Sequence, residues 1–413
     1  MSVRCSKVPK ATEARLDVAG LLAAVENASP VDAADVLAEL LADALGASEV
    51  SFLVADFSGR ALVRLGHAAG KAGGRTQGRE TAERVTLADS PHGRALAHQR
   101  LEVETGPDGA RVYAPVTNRG DAIGVLQLSL ARIPDEQTLT DVALAAHALA
   151  YVVIANRRFT DLFEWGQRSV RLSLAAEIQH RLLPGSFTCE AGQFTLAAWL
   201  EPSGDIAGDT FDFAIERDTL HLSLTDAMGH AVNASMLATI LVGGLRNARR
   251  AGVELGEQVR LASASLGEYT GWNDFVTGQV ARIDLRSQAA TIVNAGHPLP
   301  LRLRDGQVTP VALEADPPFG IVRDFDYRVQ RLPLEPGDRL VFLTDGLTER
   351  NPVDVEGLIL AGAALHPREA VQQLVHAVLE ATGGPPEDDA TVMCVDWHGG
   401  PPRERSTDSG ADE

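Results

Sequence analysis

Aspartates placed at the ends of apolar strands constrain the second half of this chain more than any other feature. Gly208-Asp209, Thr225-Asp226, Thr344-Asp345-Gly346 and Glu387-Asp388-Asp389 are its acidic punctuation marks. Three follow apolar runs (FTLAAWL at a short distance, LHLSL, RLVFL) and the fourth precedes one, ATVMCV. Carboxylates at the ends of adjacent strands converge on one rim of a sheet, where their mutual repulsion requires cations. Oxygen donors without a Cys/His set specify magnesium or manganese rather than zinc. A lone Asp-Gly is a turn; four such marks in one region make a candidate metal site.

The surrounding pattern fits that rim. After Gly185 the chain is rich in strands: FTLAAWLEP, DTFDFAIE and LHLSLTDA, then FVTGQVARIDL, AATIVNAG, PLRLRDGQVTPV, YRVQRLPL, RLVFLTDG and ATVMCVDW. A helical tract from about Ala231 to Tyr269 and a helix from about Pro367 to Ala381 interrupt them. Strands in runs with segregated helices indicate an α+β layered sandwich rather than βαβ winding. The region from about 190 to 397 is read as one domain, and the apolar-poor tail 398–413 as disordered.

The first half reads differently. After a tail at 1–14, Leu21, Leu22 and Val25 form one helical stripe, and Val36, Leu37, Leu40, Leu41 and Leu45 form another. Ser29-Pro30 is the expected cap and first-turn proline between them. Strands follow in EVSFLVADF, RALVRLG, VYAPVTN and IGVLQLSL, the last two joined by the turn Asn118-Arg119-Gly120-Asp121. A helix from about Glu136 to Ala155 closes a domain at 15–155. At 156–189, Phe159, Leu162, Phe163, Val170, Leu174, Ile178 and Leu182 recur at threes and fours. They predict an amphipathic connector helix, broken if anywhere at Gly166, that pairs with its twin in a homodimer or packs on its own second domain.

Composition narrows the function classes. A formal charge of −19 argues against nucleic-acid and anionic-membrane partners. No run of about twenty apolar residues and no signal-type start are apparent, so no membrane association is expected. Cys5, Cys189 and Cys394 lie far apart, which points to the cytoplasm and away from a disulfide framework.

The helix, helix, strands, helix order ending in VYAPV-turn-IGVLQL resembles a GAF sensory domain over about 140 residues. That resemblance implies a regulatory small ligand or protein at this domain. Its identity is not readable, although the lack of cysteine between 15 and 155 excludes a thioether-linked bilin. The segments EPSGDIAGDTFDF, LTDAMGHAVNASM, IVNAGHPLP, FLTDGLTE and EDDATVMCV, in this order, resemble the PPM (protein phosphatase 2C-like) domain of the bacterial stage II sporulation protein E type. The resemblance implies a four-layer αββα sandwich and two divalent cations, Mn²⁺ or Mg²⁺. By it, Asp209 and Asp226 bridge or bind the cations, the Ala227 carbonyl adds a ligand, and Asp345 and Asp388 complete one of the two centres. Asn294, Gly296 and His297 match a family motif, read as a shaped turn; Glu349 and Asp389 match as well.

The implied chemistry is hydrolysis of phosphoserine or phosphothreonine by a dimetal-activated water. The implied substrate is a phosphorylated anti-sigma factor antagonist. Two positions depart from the family pattern: Ala207 stands in the usual Gly-Gly-Asp and Ala231 in the usual Gly-His-Gly, while Gly208 is kept. His230 is the nearest candidate proton donor, with a structural role as its competing reading. The altered glycines leave a second functional reading, a catalytically weak PPM-fold module that binds phosphoproteins.

Overall fold

The computed structural model describes residues 16–67, 75–77, 80–168, 172–203, 208–269, 274–348, 353–384, 386 and 388–401. The chain divides into two compact units, one running to Val170 and one from Arg171.

The first unit runs α1 (Val18–Asn27), α2 (Ala33–Leu45), β1 (Ala47–Ala55), β2 (Ala61–His67), β3 (Arg75–Gln77), β4 (Glu80–Thr86), α3 (Pro91–His98), β5 (Glu102–Gly106), β6 (Gly109–Asn118), β7 (Asp121–Leu130), α4 (Glu136–Asn156) and α5 (Leu162–Gln167). Its strands form a 7-stranded sheet in the order β3-β4-β2-β1-β7-β6-β5. The period of two sorts β1 by face. Phe52 and Val54 meet Leu37, Leu41 and Leu149 of the helices. Leu53, with Tyr113 and Val125, meets Ala95 and Leu96 of α3. The expected β6–β7 turn is present: Asn118 pairs with Asp121, and Arg119 and Gly120 have φ of 48° and 80°. Positive φ at both central residues is the hairpin geometry that matches strand twist.

Three expectations for this half are corrected. Ser29-Pro30 does not open α2, which begins at Ala33 after Asp32. The edge strands β3 and β5, and β4 beside β3, were not anticipated, because short polar strands near a sheet edge show little apolar alternation. α4 is long and apolar enough, by composition, to cross a membrane, yet half of it is buried. Val142, Ala145, Leu149 and Val153 pack into the unit, which is the pattern of a core helix.

The connector is not one helix. α5 packs in the first unit through Phe163, and a Cβ on Gly166 would fall 2.8 Å from the Leu65 side chain. The second unit opens with α6 (Leu174–Leu182). Phe159 and Leu174, both on the expected stripe, are 74% and 68% exposed, while α6 buries Ala175, Ala176 and Gln179. Small residues let α6 lie close to its neighbour, where Ser235 Oγ donates to the Ala175 carbonyl. The continuous apolar seam expected for pairing two connectors is therefore divided.

The second unit continues with β8 (Thr188–Glu190), β9 (Phe194–Glu201), β10 (Asp209–Ile215), β11 (Thr219–Ala227), α7 (Ala231–Arg250), α8 (Leu255–Tyr269), β12 (Val276–Asp284), β13 (Ala290–Ala295), β14 (Leu301–Arg304), β15 (Gln307–Pro310), β16 (Gln330–Leu332), β17 (Arg339–Leu343), α9 (Asp345–Thr348), α10 (Val355–Ala361), α11 (Pro367–Thr382) and β18 (Ala390–Trp397). The single helical tract expected over 231–269 is two helices, broken where Gly252 takes φ 73°. A 5-stranded sheet, β10-β11-β12-β13-β16, faces a 6-stranded one, β15-β14-β17-β18-β9-β8. Their inner faces meet through Phe194, Leu196, Phe211, Leu222, Ile292, Phe342 and Trp397. Leu237, Leu241 and Val259 of α7 and α8 cover one outer face, on Val280 and Val293. Ile359, Leu374 and Val375 of α10 and α11 cover the other, on Val341, Val392 and Cys394. The result is a layered αββα sandwich. The tail expected from 398 begins ordered: His398 N–H donates to the Gln193 carbonyl, and Gln193 Nε2 donates to Gly400 O. Residues 402–413 lie outside the described residues.

Candidate active site

Strand register brings the first two aspartates together. β10 and β11 are antiparallel with Asp209 directly opposite Asp226 and Thr210 opposite Thr225. Gly208 is required there, because a Cβ on it would fall 2.4 Å from the Ala227 carbonyl oxygen. The Ala227 N–H donates to Gly208 O at 3.2 Å. In the other sheet, Asp345 opens α9 just after β17, and Gly346 plays a matching part. A Cβ on Gly346 would fall 2.0 Å from Asp389 O, so only glycine lets this turn lie against the Asp388-Asp389 segment.

Two threonines join the sheets at this end. Thr344 and Thr391 exchange bonds across β17 and β18, with Thr391 N–H donating to Thr344 Oγ1 at 3.0 Å. Both hydroxyls then donate to Asp209 Oδ2, at 2.7 and 2.6 Å. Asp389 is held as firmly: its Oδ2 accepts from Gln179 Nε2 at 2.6 Å and Gly208 N–H at 3.2 Å, and its Oδ1 accepts from Ser203 N–H at 2.9 Å. Gln179 Nε2 also donates to the Asp209 carbonyl at 2.8 Å.

The electrostatics follow from burial. Asp209 is held well above the usual carboxylate range, first by its burial and then by the charges of Asp226 and Asp389. The two threonine bonds oppose that shift. Burial raises Asp389 too, against the pull of its hydrogen bonds from Ser203, Gln179 and Gly208. A buried carboxylate facing a second one resists ionising unless positive charge is supplied, and its hard oxygen suits a divalent cation.

Among the described residues, no group of three or more carboxylate, imidazole or thiol side chains stands close enough to hold an ion. Asp209 and Asp226 belong to one sheet while Asp345 and Asp388 flank neighbouring strands of the other, and the threonine bonds to Asp209 bring those strand ends together. The donor chemistry fits a hard cation at the Asp209–Asp226 pair. Both Asp389 oxygens are already bonded by the chain.

The remaining expected residues fall into three groups. The Asn294–His297 stretch is a turn: Asn294 Oδ1 accepts the His297 N–H at 2.9 Å, and Gly296 takes φ 66°. His297 Nε2 lies 3.1 Å from the Leu343 carbonyl and Nδ1 lies 3.0 Å from Thr277 Oγ1. A carbonyl only accepts, so the proton sits on Nε2 and Nδ1 accepts from the hydroxyl. Burial lowers this imidazole to about 4, which keeps it neutral. His230, by contrast, is exposed at the N-cap of α7 and makes no capping bond with its side chain. Ala231 beside it has φ 58°, a left-handed conformation that costs a residue with a Cβ about 1 kcal/mol. Glu349 and Ala207 lie outside the described residues.

Sequence reading missed Gln179, Ser203, Thr277 and Thr391 as members of this network. Thr344 was visible only as the residue before Asp345. Gln179 shared a helix face with Ala175 and Ala176, which is the one signal that marked it as buried.

The chain is similar to several known proteins. The model of the family described as Stage II sporulation protein E (SpoIIE) matches residues 216–398, a span that begins after Asp209. Phosphoserine phosphatase RsbU of Bacillus subtilis (strain 168) is 22% identical over 233 residues, covering 54% of this chain and 69% of that protein. Stage II sporulation protein E of the same organism is 24% identical over 200 residues, covering 46% of this chain and 24% of its own length. A solved structure of the RsbU and RsbW domains of Rv1364c from Mycobacterium tuberculosis has a TM-score of 0.45 at 24% identity, covering 51% of this chain and 63% of that one. Within the C-terminal unit, residues 216–398 accordingly match the Stage II sporulation protein E family, and the unit is similar to a phosphoserine phosphatase. The chain spans only about a quarter of the sporulation protein's length.

Proposed function

We propose that the C-terminal unit removes phosphate from a serine or threonine of a partner protein, using two divalent cations, Mn²⁺ or Mg²⁺. Asp209, Asp226 and the Ala227 carbonyl hold them on one side, and Asp345 and Asp388 complete one centre on the other. The observation that carries this reading is Asp209 facing Asp226 across the β10–β11 ladder while fully buried. When bound, the cations supply an activated water and neutralise charge on the phosphoryl oxygens.

The chain's own residues do the rest. Thr344 and Thr391 fix Oδ2 of Asp209, which leaves its other oxygen as the donor. Gln179, Ser203 and Gly208 hold Asp389, so the turn bearing Asp388 keeps its place. The neutral His297 ties β13 and β12 to the end of β17 just before Asp345 and carries no proton to the reaction. Burial lifts the Cys394 thiol far above its usual range, so a thiolate nucleophile has no support. Cys189 and Cys394 are both buried, and in this reading the protein works in the cytoplasm.

The substrate we favour is a phosphorylated anti-sigma factor antagonist, supported by the likeness to RsbU, a phosphoserine phosphatase by name. The N-terminal unit serves in this reading as a GAF-like sensor for a small ligand or protein. A second reading, a catalytically weak module that binds phosphoproteins, draws on the strained Ala231. Manganese-dependent hydrolysis of p-nitrophenyl phosphate by the full chain separates the two. Release that chelation abolishes and Asp209→Asn lacks supports the enzyme; no release at any manganese level rejects it.

A further inference from the structure

We propose that a groove beside the aspartate rim docks the stretch of the phosphoprotein next to its phosphorylated residue, and that it selects an apolar side chain followed by a basic one. This rests on the phosphatase reading and specifies its substrate. The groove encloses about 330 Å³, at the small end of ligand pockets and sized for a side chain or two rather than a cofactor.

Its position ties it to the chemistry. Leu343 lines it and stands two residues before Asp345. The Leu343 carbonyl is held by His297, and Pro298, the next residue, lines the groove as well. The groove and the rim are therefore fixed to the same two strand ends. Two residues of chain reach at most about 7 Å, so a peptide with its phosphate at the rim brings a residue two or three positions away over the groove.

Its chemistry names the occupant. Leu299 and Leu301 with Val353 and Val355 supply apolar walls, and Leu299 is 38% exposed. The opposite character comes from Asp354 and Glu356, both exposed on the same lining. Asp354 is fixed in place because its Oδ1 accepts the Gly357 N–H at 3.0 Å as the cap of α10. Apolar walls beside two carboxylates complement a Leu-Arg or Leu-Lys pair. An acidic segment, including a second copy of a chain with net charge −19, is repelled.

The test uses the full chain with manganese and phosphoserine peptides that differ only at positions two and three from the phosphoserine. One carries Leu-Arg and the other Ser-Glu, each placed before or after the phosphoserine in separate peptides. p-Nitrophenyl phosphate, too small to reach the groove, reports the rim alone. The expected result is at least a tenfold higher kcat/KM for one Leu-Arg peptide, expressed in KM. Leu299→Asp and Glu356→Lys should each reduce that preference at least fivefold with p-nitrophenyl phosphate turnover unchanged, and Leu299→Met should retain it. Equal kcat/KM for all peptides, or a preference that survives both variants, overturns the groove while leaving the phosphatase intact. Failure of the unaltered chain to hydrolyse p-nitrophenyl phosphate removes the phosphatase reading and this proposal with it.

Discussion

Asp56 in the first unit and Asp209 in the second are both 3% exposed, yet they are buried to different ends. The oxygens of Asp56 accept from Ser58 Oγ at 2.8 and 2.7 Å and from Ala61 N–H at 3.2 Å, all within five residues. Those bonds close the turn between β1 and β2. Asp209 instead draws its bonds from Thr344 and Thr391, 135 and 182 residues away, and faces another carboxylate. A buried acid satisfied by its own turn is a folding device. One satisfied from across two sheets and opposed by a like charge is held against its electrostatic preference, and that is the mark of a site.

Substitution of the two residues tests the contrast most strongly. Asp209→Asn should lower manganese-dependent phosphatase turnover by on the order of 10³-fold, about 4 kcal/mol of barrier, and should leave the urea midpoint unchanged or raised, because a repelling charge is gone. Asp56→Asn should do the reverse, costing about 1 to 2 kcal/mol of stability at unchanged turnover. If both variants lose only stability, the distinction fails.

Gln179 sharpens the comparison, since it bonds both the Asp209 carbonyl and the Asp389 carboxylate. Gln179→Ala leaves a buried charged acceptor short of a donor and should cost about 2 to 3 kcal/mol, read by denaturant unfolding, with turnover falling as well. Wild-type behaviour in both measurements would show the contact to be incidental.

The histidines give a pH signature. His297 sits at about 4 in the fold, against an ordinary value of 6.5. Between those values the unfolded chain binds the extra proton, so its contribution to stability is full above about pH 6.5 and is lost as the pH falls toward 4. From pH 7 to pH 5 the loss is about 2 kcal/mol, and it should be absent in His297→Gln. An identical pH dependence in both proteins would contradict the buried neutral imidazole.

The smallest effects concern backbone strain, which each unit contains. Arg119 and Ala231 both take positive φ, at 48° and 58°. Arg119→Asn in the hairpin should raise stability by about 0.5 kcal/mol without touching turnover. Ala231→Gly should gain a similar amount and also change turnover, because it loosens the turn after Asp226. Equal silence of both in the phosphatase assay would place Ala231 outside the site.

Legibility in the sequence followed the same divide. Asp226 and Asp345 were readable because an acid closing an apolar strand is a rare local pattern, and Asn118 to Asp121 because a hairpin turn is written in adjacent residues. A layered α+β sandwich followed from strands in runs, and its four layers from the resemblance. What could not be read was non-local. Thr391 looks like any strand threonine until β17 lies beside it, and Gln179 looks like a surface glutamine until α6 meets α7. The connector stripe misled for the same reason: Leu174 has the right spacing, but the close fit of Ala175 and Ala176 turns it outward. Short polar strands such as β4, ETAERVT, lack the alternation that reveals a half-buried strand.

Calorimetric titration of manganese into the intact chain and into Asp226→Asn addresses the facing pair most directly. The account expects saturable uptake by the intact chain and its loss, or a weakening of at least tenfold, in the variant. The same uptake in both proteins, or none in either at millimolar manganese, would contradict it.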